Sequence, residues 1–484
     1  MTGPTLIGID VGTGAIKGIL MDLAGRVLAT FARPYPTAHP RSGEVEQNPH
    51  DWTDGVFAAL ESFAAANDPG RVIGIGLCSQ VSTHVFVDAE GEPLLPAMVW
   101  QDVRCGGDAA ALDARITPGQ KSAWFGGPMP IDASHALSRM AHMARLHPEV
   151  YASSRYVLLP KDYCALKLTG EVASDPISAV GLVDGRLHYV DDLIALVPGA
   201  RDRLPPLRDF THRVGAVRKG LPFAGVPVFL GPMDAWAGMF GVGVVRNDQA
   251  MYLSGTSEVL GVTSARRVPS PCVIVFPPCE GITLHVAPTQ SGGASLLWLS
   301  KLLGREPQAL AELVTEAPSP NVPLFLPHLQ GERAPFWDVQ SRAAFARIET
   351  ATGPGELVRA VLEGVAFSAR LAFEAAECSA GLVVDHVNIG GGGARSNVWC
   401  QIRADVFGKA LHRAKILDAG TLGAAMIAGV RSGAMPSLAA AAQRLVTFDR
   451  TFEPDATRAE YYNAKFGKYQ ELYADLKPFN EGYA

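Results

Sequence analysis

The chain lacks an excess of basic residues. Its 42 Lys and Arg stand against 48 Asp and Glu, a formal net charge of -6 over 484 residues. A nucleic-acid interface needs clustered positive charge, and an anionic membrane surface attracts it, so neither partner is expected. Cysteine is sparse. Cys78, Cys105, Cys164, Cys272, Cys279, Cys378 and Cys400 are odd in number and contain no C-x-x-C pair. That argues against a disulfide framework or a cysteine zinc site and points to a reduced, cytoplasmic compartment. The twelve histidines form no H-E-x-x-H cluster. Asp10 and Lys17 interrupt the first apolar stretch, so no signal peptide is expected. Long apolar runs are also scarce. The one exception, "LPFAGVPVFLGPMDAWAGMFGVGVV", carries Pro222, Pro227 and Pro232, which break a single helix. It reads as a strand "VPVFLG", a turn at Gly231-Pro232 and a packed helix, with Asp234 as its only charge.

What is present is an α/β pattern long enough for at least two domains. "LIGIDVGTGAIKGILMDLAGRVLAT" reads as strands punctuated by Gly12, Gly14, Gly18 and Gly25. "NPHDWTDGVFAALESFAAA" has helical spacing behind an Asn or Asp cap, and "RVIGIGLCSQ" and "HVFVDAEGEPLLPAMVW" read as further strands. "QAMYLSGTSEVLGVTSARRV" repeats the strand, Gly-Thr loop, strand order of the opening, with Ser254 read in place of the acid. This sets a boundary near Val245–Gln249, hence domains over 1–245 and 246–484. In the second, Leu357, Val361 and Val365 mark one face of a helix. "HVNIGG" follows as a strand, Ser396 and Gly408 as the start and stop of a helix, and "TLGAAMIAGVRSG" as another helix ended at Gly433.

Three loops and one acid carry chemistry. In "DVGTGAIK" the glycines allow backbone N–H groups to converge on an anion, and Thr13 adds a hydroxyl. Asp10 cannot bind phosphate, but it can hold a magnesium ion that does. A tight turn with a self-satisfied aspartate is the plain alternative. "LSGTSE" offers donors without an acid, or a simple turn. "NIGGGGARSN" has four glycines, Gly390 to Gly393, between a strand and a helix. It is neither a P-loop nor a Rossmann fingerprint, and serves either a nucleotide or a loose connection. Asp234 is either an N-cap or a general base taking a hydroxyl proton during phosphoryl transfer.

Taken in order, these segments resemble the FGGY carbohydrate kinases, and within them the xylulokinases. "GIDVGTGAIKGILMD" resembles the family's first phosphate segment and "LSGTSE" its second. "LLPKDYCALKLTGEVASDPISAVGLVD" is similar to an internal xylulokinase stretch, and "GPMDAWAGMFGVG" to the segment with the catalytic aspartate. "FLPHLQGERAPFWDVQSRAAFARI", "AVLEGVAFSAR" and "IGGGGARSNVWCQIRADVFG" resemble the C-terminal domain, the last its adenosine segment. The resemblance implies two ribonuclease H-like domains of the actin/hexokinase type with nucleotide and sugar in the cleft between them. It implies ATP and Mg2+ as cofactors and a small sugar as the partner, most simply a pentulose such as D-xylulose, and leaves homodimer formation open. It makes Asp234 the proton acceptor and Asp10 the metal-associated acid. Gly12, Thr13, Lys17, Gly255, Thr256, Gly392, Gly393 and Asn397 are placed at the nucleotide, and Gln80, Val81, Ser82 and Asp102 at the sugar.

The sugar segment departs from the family. Val81 and Ser82 stand where xylulokinases carry Met-His, Ala235 where Asn follows the catalytic aspartate, and Arg139 where Lys is usual. Another pentulose, a tetritol or a pentitol is therefore the alternative acceptor. A nucleotide-gated interaction protein is the alternative of another class, since a fold does not fix a function.

Overall fold

The computed structural model describes residues 3–482 apart from 67, 126–128, 269, 315, 316, 318 and 320. The chain forms two compact α/β units, residues 1–245 with 418–446 and residues 246–417 with 447–484. A single cut after Val245 thus misassigns one segment, 418–446, for a reason that lies in the first sheet.

That sheet contains β1 (Thr5–Val11), β2 (Ala15–Asp22), β3 (Val27–Pro34), β4 (Val72–Ser79), β5 (Arg213–Ala216) and β6 (Pro227–Phe229). Their order is β3-β2-β1-β4-β6-β5. β1 to β3 meander antiparallel, whereas β4 lies parallel to both β1 and β6. Alternation then sorts the side chains of β1 between two faces. Ile7, Ile9 and Val11 share a buried cluster with Trp52, Val56, Leu60 and Phe63 of the Pro49–Ala66 helix. Asn48 starts that helix by accepting from His50 N–H at 3.2 Å. Leu6, Gly8 and Asp10 face the Ala419–Arg431 helix instead, meeting Gly429, Thr421 and Gly420 in turn. The contact is backbone against backbone. Gly8 and Gly76 are register neighbours on β1 and β4. A Cβ on Gly8 would lie 1.9 Å from the Thr421 carbonyl oxygen, and one on Gly76 1.9 Å from that of Ala424. Only glycine permits this approach, and it draws the late helix onto the early sheet.

The apolar run after Leu221 folds as read from its prolines: β6, a turn at Gly231 with φ +67°, and the Asp234–Gly241 helix. No described helix is long and apolar enough to cross a membrane. "HVFVDAEGEPLLPAMVW" is less regular than its composition suggests and gives only the short strands Val85–Val87 and Ala97–Met98.

The second unit repeats the plan. β7 (Gln249–Ser254), β8 (Glu258–Ser264), β9 (Ile274–Val275), β10 (Thr283–Pro288), β11 (His386–Gly390), β12 (Ala410–Ala414) and β13 (Phe448–Phe452) order as β9-β10-β8-β7-β11-β12-β13. β7 pairs antiparallel with β8 and parallel with β11, as β1 does with β2 and β4. The hairpin registers correct one detail of the repeat. Ser254 sits opposite Glu258 just before its glycine, as Val11 sits opposite Ile16. Leu253, not Ser254, is the counterpart of Asp10. The Pro354–Ala380 helix is buried almost all round from Val358 to Ala369, not on one face. It packs on β8 and β10 and also against the Leu324–Leu326 strand, where a Cβ on Gly364 would lie 2.3 Å from the Phe325 carbonyl oxygen.

Candidate active site

Asp10 stands one residue before the end of β1, beside the first turn of the Ala419–Arg431 helix. Its Oδ1 is buried without a hydrogen-bond partner. Burial raises its carboxyl to about 6, Lys17 and the Cys78 thiol oppose that rise, and Asp418 adds to it. Lys17, opposite Asp10 in the hairpin, extends to Asp418 at 2.7 Å. Asp234 begins its helix and accepts from the Ala235 N–H at 2.7 Å. Burial pushes Asp234 up to about 7, and the charge of Asp10 pushes the same way. The raised Asp234 carboxyl lies near neutral pH, the range a general base needs.

The Gly12–Gly14 turn is held from several sides. The Tyr35 hydroxyl donates to the Gly12 carbonyl, and the Trp100 indole N–H donates to the Thr13 hydroxyl at 3.0 Å. Gln47 donates to the Thr13 carbonyl at 2.7 Å. Gln80 is buried, donates to Gln47 at 2.9 Å and accepts from the Thr83 hydroxyl at 3.1 Å. Val81 and Ser82 are partly exposed in the turn that follows. Ser82 has φ +56°, a left-handed conformation that costs a non-glycine residue about 1 kcal/mol or more. Asp102 is buried and committed to structure: it accepts from Val45 N–H at 2.7 Å and pairs with Arg104 at 2.7 Å. Arg139 is buried as well. It donates to the Met98 and Val99 carbonyls and meets the Nδ1 of His84, whose imidazole burial keeps neutral.

The other sequence-predicted residues lie in the second unit, where three glycine segments converge. Gly255 and Thr256 form the exposed β7–β8 turn. Their carbonyls accept from Gly293 and Ala294 N–H, both at 3.0 Å. A Cβ on Gly391 would lie 2.3 Å from the Ser254 carbonyl oxygen, and one on Gly393 2.0 Å from the Ser254 hydroxyl. So Gly391 and Gly393 serve close approach, whereas a Cβ on Gly392 would meet open space. Gly392 and Asn397 are exposed, and Asn397 accepts from Arg413 at 2.8 Å.

The sequence reading missed the parts that fix these loops. The fully buried Arg403 donates to the Gly393 carbonyl at 3.2 Å, to Ser254 at 2.8 Å and to Glu258 at 3.1 Å, and lies over the Trp399 ring. Gly292 and Gly293, at the start of an apolar helix, are the third segment; the pair in "QSGGASLLWLS" is the signal that could have found them. Gln47 carried no signal, because its role depends on contacts distant in sequence.

Comparison with known proteins finds a family over both units. The model of the N-terminal domain of the FGGY family of carbohydrate kinases matches residues 5–241, and that of the C-terminal domain matches residues 250–432. A xylulose kinase of Escherichia coli (strain K12) is 32% identical over 485 residues, covering 98% of this chain and 99% of that protein. Among solved structures, a xyloylose kinase from Brucella ovis superposes with a TM-score of 0.84 at 29% identity, over 98% of this chain and all of that one. A gluconate kinase from Lactobacillus acidophilus reaches a TM-score of 0.88 at 23% identity over the full length of both chains, a likeness of fold.

Proposed function

The chain belongs to the FGGY family of carbohydrate kinases, and from that premise we propose that it phosphorylates D-xylulose to D-xylulose 5-phosphate with ATP and magnesium in the cytoplasm. The observation that carries the chemistry is Asp234. A carboxyl raised to about 7 at the start of a helix lies in the range where it can take the proton of an attacking hydroxyl at neutral pH. The near full-length similarity to a xylulose kinase supports the acceptor. Asp234 is then the general base. Gly12, Thr13 and Lys17 receive phosphate in the first unit, and Gly255, Thr256, Gly392, Gly393 and Asn397 hold the nucleotide in the second.

Magnesium fits the residues present. Among the described residues no cluster of three or more His, Cys, Asp or Glu could cage a metal. Magnesium needs no such cage, since it keeps its waters and takes one or two carboxylates with substrate phosphates. The orphaned Oδ1 of Asp10 supplies such a carboxylate oxygen. When bound there, the ion would neutralise charge on the phosphoryl oxygens.

A second reading changes the acceptor to another pentulose, a tetritol or a pentitol. Val81 and Ser82 favour it, because neither reaches as far as the Met-His pair of the xylulokinase pattern. An acceptor panel with ATP, scored by ADP release and by the position phosphorylated, separates the two. Release with D-xylulose and phosphate on its O5 is expected. Release confined to a tetritol or pentitol would move the assignment to the second reading.

A further inference from the structure

Five residues of the first unit close a ring of hydrogen bonds, through side chains and two backbone groups, between the phosphate turn and the acceptor turn. Gln47 donates to the Thr13 carbonyl at 2.7 Å, Gln80 donates to Gln47 at 2.9 Å, and Thr83 donates to Gln80 at 3.1 Å. The Trp100 backbone N–H donates to Thr83 at 3.1 Å, and its indole N–H returns to the Thr13 hydroxyl at 3.0 Å. Val81 and Ser82 lie between two members of the ring, and Gly12 and Gly14 flank a third.

The orientation of the Gln47 amide is determined. Gln47 is 2% exposed and uses all four positions of its amide. Nε2 gives its two hydrogens to the Thr13 carbonyl and to Thr37 at 2.8 Å. Oε1 accepts from Gln80 and from the Trp52 indole at 3.2 Å. A flipped amide would set its NH2 against two donors, so one orientation is allowed. At the far end of the ring, indole N–H is a donor only, so Thr13 Oγ1 must accept from Trp100. An oxygen that accepts there keeps its own proton to give.

We propose that this ring aims the Thr13 hydroxyl as a hydrogen-bond donor at a phosphoryl oxygen and ties that aim to the acceptor turn, with Trp100 and Gln47 as positioning residues. The inference rests on the kinase reading above. In water-poor surroundings such an aimed donor acts on charge without reorganising. The ring gives the sugar side of the site a mechanical route to the phosphate side through bonds rather than through distance.

The test is a double-mutant cycle with Trp100→Phe, which removes the indole N–H and keeps a ring, and Thr13→Val, which removes the hydroxyl and keeps the branch. Each single variant is expected to lower kcat about ten- to a hundredfold, the effect of losing a hydrogen bond to a charged group. The double variant should fall less than about twofold below Thr13→Val, because Trp100 acts through Thr13. Thr13→Ser should stay within about threefold of wild type, and the acceptor KM should move by less than about threefold throughout. A full additive loss from Trp100→Phe in the Thr13→Val background would overturn the proposal, as would a Thr13→Val enzyme with wild-type kcat. Should Trp100→Phe fail to fold, the contrast between Thr13→Ser and Thr13→Val still decides. The tie to the acceptor turn is read by calorimetry. D-xylulose should tighten binding of a non-hydrolysable ATP analogue to wild type but not to Gln47→Met, and an unchanged linkage in a folded Gln47→Met variant would end that part. If wild type turns over no acceptor at all, the kinase reading falls instead. The same cycle scored on analogue affinity then judges the ring by itself: coupled effects sustain it, additive ones reject it.

Discussion

Lys17 on β2 holds Asp418 at 2.7 Å, a contact between residues 401 apart in sequence that leaves Asp10 between burial and a diverted cation. Both partners are about a third exposed, at 39% and 34%. A pair so exposed contributes ~0–1 kcal/mol to stability. Asp418→Asn should therefore leave thermal unfolding nearly unchanged. Its electrostatic effect should be larger than its structural one. Removing a like charge and releasing Lys17 both favour ionised Asp10. The pH below which the magnesium requirement rises should move lower, and one that stays in place would show that Lys17 does not reach Asp10.

Asp234→Asn removes the base and keeps the shape. General-base loss costs about 10²–10⁴-fold in rate. Affinity for the ATP analogue should hardly change, since the nucleotide groups proposed above lie on other segments. In wild type, kcat should fall as pH drops through about 7 and Asp234 takes up a proton. Steady-state rates from pH 5.5 to 9, an experimental range of about neutrality, check both points. Turnover of the variant within a few-fold of wild type would remove Asp234 from the role.

The same shift has a stability consequence, and its sign is unusual for an aspartate. Asp234 is raised above its ordinary 3.8 in the fold, so the folded state holds the proton more tightly than the unfolded chain. Its favourable contribution is full below the unfolded value and is lost as pH rises through about 7. At pH 8 the ionised group opposes folding. Asp234→Asn should then be more stable than wild type by roughly 1–3 kcal/mol, with the gap closing near pH 4. Unfolding curves at the two pH values test this. Equal differences at both would show that Asp234 is not titrating in the fold.

The elements that could be read from sequence are those whose cause is local. The β1–β2 hairpin, the Pro49–Ala66 helix, the Ser396 cap and the Gly408 stop all follow from alternation, spacing or a single capping residue. The glycine loops were legible as loops. What they pack against was not. Gly393 needs Ser254 beside it, and Arg403 needs both, across 149 residues of chain to Ser254. The assignment of 418–446 to the first unit was hidden for the same reason. Gly8 and Gly76 look like ordinary strand glycines until the Thr421 and Ala424 carbonyls are placed over them. Gln80 was expected at the sugar, and its carboxamide turns out to be engaged by Gln47 and Thr83.

That glycine contact can be tested directly. Gly76→Val would drive a Cβ to 1.9 Å from the Ala424 carbonyl oxygen, which no rotamer relieves because the clash is at Cβ. Overpacking of a core costs ~1–3 kcal/mol, and a backbone clash lies at the upper end or beyond. The expected outcome is a protein that unfolds several degrees lower, or stays insoluble, with the defect in the 418–446 segment. Hydrogen exchange should show that segment losing protection first. A Gly76→Val protein of wild-type stability would mean the helix does not lie on the sheet as described.

The acceptor turn offers the sharpest test of substrate. Ser82 occupies φ +56° with a hydroxymethyl side chain, and Val81 beside it is shorter than methionine. A sugar hydroxyl that a histidine would have met must find another partner or remain unpaired. An unpaired buried polar group costs ~1–3 kcal/mol, which is about ten- to a hundredfold in selectivity. D-xylulose should therefore be accepted with weak preference over L-xylulose, D-ribulose, L-ribulose and the pentitols. The variant carrying Val81→Met and Ser82→His should sharpen it. Histidine is among the residues that tolerate a left-handed conformation, so the backbone at 82 need not change. Relative kcat/KM across the panel is the measurement. The ratio of D-xylulose to its best competitor should rise about tenfold or more in the double variant. A wild-type preference for D-xylulose above about a thousandfold would show that neighbouring groups already fill the space. A double variant that loses all acceptors equally while folding normally would place residues 81 and 82 outside the sugar contact.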